Sequence, residues 1–125
     1  MTAPAADTAA GRGAWAEDVA LRFLLDRGLA LVTRNYRSRR GEIDLVMREG
    51  EALVFVEVRY RRNGAFGAGA ETVDWCKRSR LAASAAHYLH THPGASRLPC
   101  RFDVISVDGA APAVQWVRAA FEPGG

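Results

Sequence analysis

From Ala14 to Arg27 the large apolar residues Trp15, Val19, Phe23 and Leu24 recur at three- and four-residue spacing, and Gly28 follows as a stop. That period places them on one face of an amphipathic helix. Leu29 to Tyr36, short and rich in Leu, Val and Thr, is predicted as a strand, and Arg37-Ser38-Arg39-Arg40-Gly41 is a basic, turn-prone break. Two further strands, Glu42 to Arg48 and Ala52 to Arg61, flank a hairpin turn placed at Glu49-Gly50. A glycine-rich loop occupies Asn63 to Ala70. A second helix is expected from Thr72 to His90, where Val73, Lys77, Leu81, Ala85 and Leu89 stand four apart and Pro93-Gly94 breaks the pattern. Strands over Arg101 to Val107 and Ala113 to Arg118 complete the order.

Helix, three strands, helix, two strands is the order of a meander followed by a helical crossover that returns the chain parallel to the sheet. The predicted class is therefore α/β, with a mixed central sheet flanked by helices in the order α-β-β-β-α-β-β. Residues 1–12 are small and Ala-rich and are expected to form a flexible tail, since they offer nothing large to bury. Residues 13–122 are expected to form one domain, in keeping with a length of 125 residues.

The hairpin carries the first sign of chemistry. With Glu49-Gly50 as a two-residue loop, Met47 faces Ala52, Asp44 faces Phe55 and Glu42 faces Glu57. Alternation then gives one apolar face of Ile43, Leu45, Met47, Val54, Val56 and Val58, which must lie on a helix. The other face holds Glu42, Asp44, Val46, Leu53, Phe55, Glu57 and Arg59. Asp44 and Glu57 are diagonal neighbours there, and Glu42 opposite Glu57 is a like-charge pair that destabilises a sheet unless a cation intervenes. Oxygen donors without His or Cys favour Mg²⁺ or Mn²⁺, which work with one or two carboxylates and substrate phosphate. An ion-pair ladder on a solvated face is the other reading of the same residues.

Charge and composition add modestly to this. The chain has 17 basic and 14 acidic side chains, a formal charge of +3 that favours anionic partners. All of the basic residues but Lys77 are Arg, so Arg richness alone signals little. Arg37, Arg39 and Arg40 precede the acidic strand, and Tyr60, Arg61 and Arg62 follow Arg59; both groups are candidate nucleic-acid contacts, as is Lys77 on the second helix. Solvated loops and a snorkelling lysine are the ordinary alternatives. His87, His90 and His92 have no acid or cysteine beside them and are not read as a metal site. Asp103 interrupts an apolar strand and is read as a structural carboxylate bonded to Arg101 or to neighbouring backbone. Cys76 and Cys100 are too few and too far apart for a disulfide framework or zinc site. With neither a signal peptide nor a long apolar segment, a soluble cytoplasmic protein with no membrane partner is expected.

Asp44, followed by Glu57-Val58-Arg59 on the next strand, resembles the PD-(D/E)xK arrangement of restriction endonucleases and archaeal Holliday junction resolvases. More closely, the sequence resembles the YraN family of small bacterial endonuclease-like proteins. The matching stretches are Glu17-Asp18-Val19-Ala20, Gly41-Glu42-Ile43-Asp44-Leu45, Val54-Phe55-Val56-Glu57-Val58-Arg59, Lys77, and Arg101-Phe102-Asp103-Val104. The resemblance implies a restriction-endonuclease-like fold and a Mg²⁺ or Mn²⁺ site using Asp44, Glu57 and the Val58 carbonyl, with Glu17 joining from the first helix. It implies hydrolysis of phosphodiesters in branched or structured DNA, with Asp44, Glu57, Arg59, Glu42 and Glu17 as the catalytic set, and a homodimer. Arg59 stands where many such nucleases have Lys; a guanidinium cannot act as a general base, though it can hold phosphate with two hydrogen bonds. A catalytically inactive nucleic-acid-binding module of the same fold is thus the alternative.

Overall fold

The computed structural model describes residues 8–61, 75–109 and 113–121. It contains α1 (Ala9–Asp26), β1 (Ala30–Ser38), β2 (Gly41–Glu49), β3 (Ala52–Arg61), α2 (Trp75–Thr91), a single 3-10 turn (Ala95–Arg97), β4 (Cys100–Asp108) and β5 (Ala113–Phe121). The α/β class and the α-β-β-β-α-β-β order are as predicted. The glycine-rich loop, Arg62 and the expected first residues of the second helix lie outside the described residues, as do residues 1–7.

Helix α1 begins earlier than expected. Residues 9–12, expected in a tail because their side chains are small, are helical because Thr8 caps them: its Oγ1 accepts from the Gly11 N–H at 3.0 Å. At the other end the Gly28 and Leu29 N–H groups turn back to the Leu25 and Leu24 carbonyls, closing the helix and leading Leu29 into the core.

The sheet runs β1-β2-β3-β4-β5 in sequence order. The first three strands form an antiparallel meander, β4 lies parallel to β3, and β5 returns antiparallel. Helix α2 is the crossover that a parallel β3–β4 pair requires. Each face of the sheet has its own apolar cluster. Ala16, Val19, Ala20 and Leu24 of α1 pack on Leu45, Met47, Val54, Val56, Ile105 and Val107. Leu81, Ala85 and Tyr88 of α2 pack on Val46, Leu53, Phe55, Phe102 and Val104. Burying such side chains contributes about 1.5–3 kcal/mol each, so this two-sided sandwich is what holds the strands in place.

The hairpin register differs from the sequence expectation. The loop residues are Gly50 and Glu51, with Glu49 paired to Ala52, Met47 to Val54 and Leu45 to Val56. A tight hairpin needs a left-handed residue at its first loop position, and Gly50 supplies it with φ of 58°. Pairing is thereby shifted by two positions, which preserves the faces but changes the partners. Asp44 is now level with Glu57 rather than with Phe55, and Glu42 no longer faces Glu57; its register partner is Arg37 on β1.

A second departure concerns Ile43, which packs with Leu81 and Tyr36 on the α2 side instead of joining Leu45 and Met47. Asn35, level with Asp44 on the neighbouring strand, has φ of 52° and breaks the alternation. On β1, Arg34 reaches the acids of α1 while Tyr36 reaches α2, and on β2 the same inversion separates Leu45 from Ile43. This local twist turns Glu42 toward α1.

Candidate metal centre

The β2–β3 ladder gives out at Leu45–Val56, and a carboxylate takes over from the backbone. Asp44 Oδ2 accepts the Val58 N–H at 2.8 Å, so Asp44 lies between the two strands rather than beside them. Its carboxyl also hydrogen-bonds to Glu57. Two carboxylates can share such a bond only if one is protonated. Burial first, and then Glu57, push the Asp44 carboxyl up to about 9.

A cavity of about 350 Å³ opens at this point, lined by Gly41, Glu42, Asp44, Glu57, Val58, Lys77, Arg80 and Leu81. Glu57 is buried, and its Oε2 lies 2.5 Å from Lys77 Nζ on α2. Gly41 lets α2 come this close: a Cβ at that position would stand 3.3 Å from Arg80 Cβ and 3.4 Å from Ser84 Oγ. Helix α1 approaches from the other side. One carboxylate oxygen each from Glu17, Glu42 and Asp44 lies within 4.8 Å of the others. Burial, followed by the neighbouring Glu42 charge, raises the Glu17 pKa. With its amide nitrogen turned toward the acids, Asn35 donates to Glu42 Oε1 at 2.8 Å and Glu17 Oε1 at 3.0 Å. Arg34 NH2 lies 2.8 Å from Asp18 Oδ1 and 4.0 Å from Glu17 Oε1.

Four acids from three elements thus converge: Glu17, Glu42, Asp44 and Glu57. The like-charge opposition expected between Glu42 and Glu57 is replaced by two others, Asp44 with Glu57 and Glu17 with Glu42. Hard oxygen donors held this close suit Mg²⁺ or Mn²⁺. The residues present therefore fit a divalent cation, which Asp44 and Glu57 would hold, with Val58 on the cavity wall and Glu17 and Glu42 beside Asp44.

The other candidates divide. Arg37, Arg39 and Arg40 are exposed and lead directly into Gly41 and Glu42 on the cavity wall, although Arg37 Nε also lies 3.4 Å from Glu42 Oε2. Arg59 continues β3 past Val58, level with Ser106 of β4, and is not among the residues lining the cavity. The cations that do line it, Lys77 and Arg80, come from α2. Tyr60 is on the α1 side, edge-on to Trp15 with ring centroids 6.1 Å apart and with the Arg12 guanidinium 5.7 Å from its own centroid. It packs there instead of facing the cavity. Arg61 is level with Asp108, and its carbonyl accepts the Gly109 N–H at 2.9 Å.

Arg80 and Asn35 escaped sequence reasoning. Arg80 follows Lys77 by three residues and so shares its helix face; Asn inside a strand is the residue most apt to adopt a left-handed turn. Two of the histidines meet tyrosines, with His87 Nδ1 2.5 Å from the Tyr36 hydroxyl and His92 stacked on Tyr88. Asp103 is the structural carboxylate expected: it accepts from Arg101 Nε at 3.0 Å, Trp116 Nε1 at 2.9 Å and the Ala119 N–H at 2.9 Å. Cys76 and Cys100 are free thiols. Among the described residues, no helix is long and apolar enough to cross a membrane.

Comparison with known proteins finds close relatives over most of the chain. A UPF0102 protein of Xanthomonas oryzae pv. oryzae is 52% identical over 110 residues, covering 88% of this chain and 90% of its own. A UPF0102 protein of Legionella pneumophila is 45% identical over 113 residues, covering 90% and 96%. The model of the uncharacterised protein family UPF0102 matches residues 16–107, a span that holds all four acids and both cavity cations, and the chain belongs to that family.

Proposed function

We propose that this protein is a divalent-metal-dependent nuclease that hydrolyses phosphodiester bonds in branched or structured DNA, built on the restriction-endonuclease-like plan that its resemblance to the YraN family suggests. The observation that carries this reading is the meeting of Asp44 and Glu57 where β2 and β3 part, beside Lys77 and Arg80 in one open cavity. Carboxylates alone suit many surfaces. Carboxylates facing fixed cations across a cavity suit a ligand that is itself part metal and part anion.

Asp44 and Glu57 would hold the cation, with Glu17 and Glu42 adding negative charge from the α1 side. When bound, Mg²⁺ or Mn²⁺ supplies acidified water and compensation for charge that develops on the phosphate. The chain's own groups supply the remainder. The Val58 N–H fixes the Asp44 carboxylate in place, and Asn35 orders Glu17 and Glu42, so the donors need not reorganise on binding. Lys77 and Arg80 face the anionic part of the substrate. Exposed Arg37, Arg39 and Arg40 extend that positive rim along the β1–β2 turn, where phosphate contacts position a nucleic acid without reading its sequence. Arg59 cannot act as a general base, and the cations lining the cavity, Lys77 and Arg80, would face the phosphate in its place. A homodimer matches a substrate with two strands to cut.

The test is incubation with four-way junction, flap and linear duplex DNA in Mg²⁺ or Mn²⁺. Cleavage that Asp44→Ala abolishes is the expected result. Salt-sensitive binding to all three without cleavage would make the protein a binding module; neither binding nor cleavage would dismiss a nucleic-acid role.

A further inference from the structure

The ion pair between Glu57 and Lys77 involves the only lysine of the chain. Glu57 is buried at 5% exposure, whereas the Lys77 side chain is 43% exposed. The carboxylate is thus fixed in the cavity wall, while the ammonium stands at the end of a flexible four-carbon stem with solvent beside it. Lys77 Nζ is 2.5 Å from Glu57 Oε2, so a divalent cation bound to that oxygen would meet the ammonium at close range. Two cations that near repel strongly in a buried setting, and the ammonium therefore opposes an ion on that side of Glu57.

We infer that Lys77 is a tethered counter-ion that occupies the Glu57 side of the metal site until a divalent cation displaces it, and that its released ammonium then turns to the anionic substrate beside Arg80. This inference rests on the metal-site reading above and deepens it. In the metal-free protein Lys77 compensates the buried Glu57 charge, as a lone buried carboxylate requires. Once a cation takes over that role, the Lys77 ammonium can leave Glu57 Oε2 and turn toward Arg80, one turn of helix away on the cavity lining. Metal binding and anion binding are thereby coupled through one side chain. The cation gains a site only by moving Lys77, and the anion gains Lys77 only after the cation arrives.

Calorimetric titration of Mn²⁺ into the wild-type protein, Lys77→Met, Lys77→Arg and Asp44→Asn tests this without any catalytic readout. Lys77→Met is expected to bind Mn²⁺ more tightly than wild type by on the order of tenfold, the scale on which one neighbouring like charge shifts an ionic equilibrium. Lys77→Arg keeps the competing charge and is expected to stay within about twofold of wild type. Mn²⁺ binding seen only in Lys77→Met would support the inference in its strongest form. Equal binding by wild type and Lys77→Met, lost in Asp44→Asn, would overturn the Lys77 role and leave the metal site standing. No Mn²⁺ bound by wild type, Lys77→Met or Lys77→Arg would overturn both. Circular dichroism of each variant, with Lys77→Gln as a second neutral form, confirms that folded proteins are being compared.

Discussion

Replacing Asp44 by Asn should stabilise the metal-free protein while removing its capacity for metal. The Asp44 carboxyl keeps its proton in the folded state up to about 9 but releases it near 3.8 as a model group. Between those values the folded state holds more protons than the unfolded one, so stability falls as pH rises. Each pH unit is worth about 1.4 kcal/mol, and pH 7 lies roughly three units above 3.8, giving a cost of at most roughly 4 kcal/mol at neutrality. Asn does not titrate. Its oxygen still accepts the Val58 N–H, and its NH₂ group still donates to Glu57, so the pairing survives while the pH-dependent cost disappears. The assay is urea unfolding in excess EDTA at pH 5, 6, 7 and 8. Wild-type stability should decline across the series, that of Asp44→Asn should stay nearly level, and at pH 7 the variant should be more stable, with a Tm gain on the order of 10 °C. A wild-type profile that is flat or rises from pH 5 to 8, with Asp44→Asn less stable throughout, would refute a raised pKa at Asp44.

Further outcomes follow from other parts of the molecule. Asp103→Ala leaves Arg101 Nε, the Trp116 N–H and the Ala119 N–H without this acceptor, while Arg101 keeps Glu49, and should destabilise the protein by about 3 kcal/mol in urea unfolding; a loss under about 1 kcal/mol would mean that this network carries little of the fold. Gly41→Val forces α2 away from β2 and should cost about 1–3 kcal/mol, along with the Glu57–Lys77 pair; wild-type stability in the variant would show that the approach is not tight. The double change Arg39→Ala and Arg40→Ala should weaken DNA binding on every sequence alike and reduce the slope of log K against log salt by up to about 0.9 for each phosphate that is no longer neutralised; an unchanged slope would remove these residues from the interface.

The two faces of the β2–β3 hairpin are legible in the sequence because alternation fixes which residues lie together, and a shift of two positions leaves that parity intact. The partners are not, because Gly50 serves equally as the first or second residue of a two-residue loop in a bare sequence, and only the backbone shows it at the first. That single offset decides whether Glu42 or Asp44 stands against Glu57. Ile43 is misplaced for a related reason: the left-handed turn at Asn35 acts across a strand pair, and period-two reasoning on β2 alone has no access to it. Thr8, a good capping residue, signals the start of α1, but the absence of large side chains in residues 9–12 outweighs it in a sequence reading. Asp44 and Glu57 stand out because carboxylates in apolar strands are costly, whereas the role of α2 depends on tertiary packing. Lys77 reads from sequence as a phosphate ligand or a snorkelling surface lysine and Arg80 not at all, since no local pattern says that α2 crosses over the end of β2 at Gly41.

If the acids at the parting of β2 and β3 hold a divalent cation, crystals of the protein grown with Mn²⁺ should show it by anomalous scattering. One strong Mn²⁺ peak bonded to Asp44 and Glu57 is expected, with Lys77 Nζ withdrawn from Glu57 Oε2. A cavity with no Mn²⁺ peak at millimolar concentration, with Lys77 still on Glu57, would contradict it.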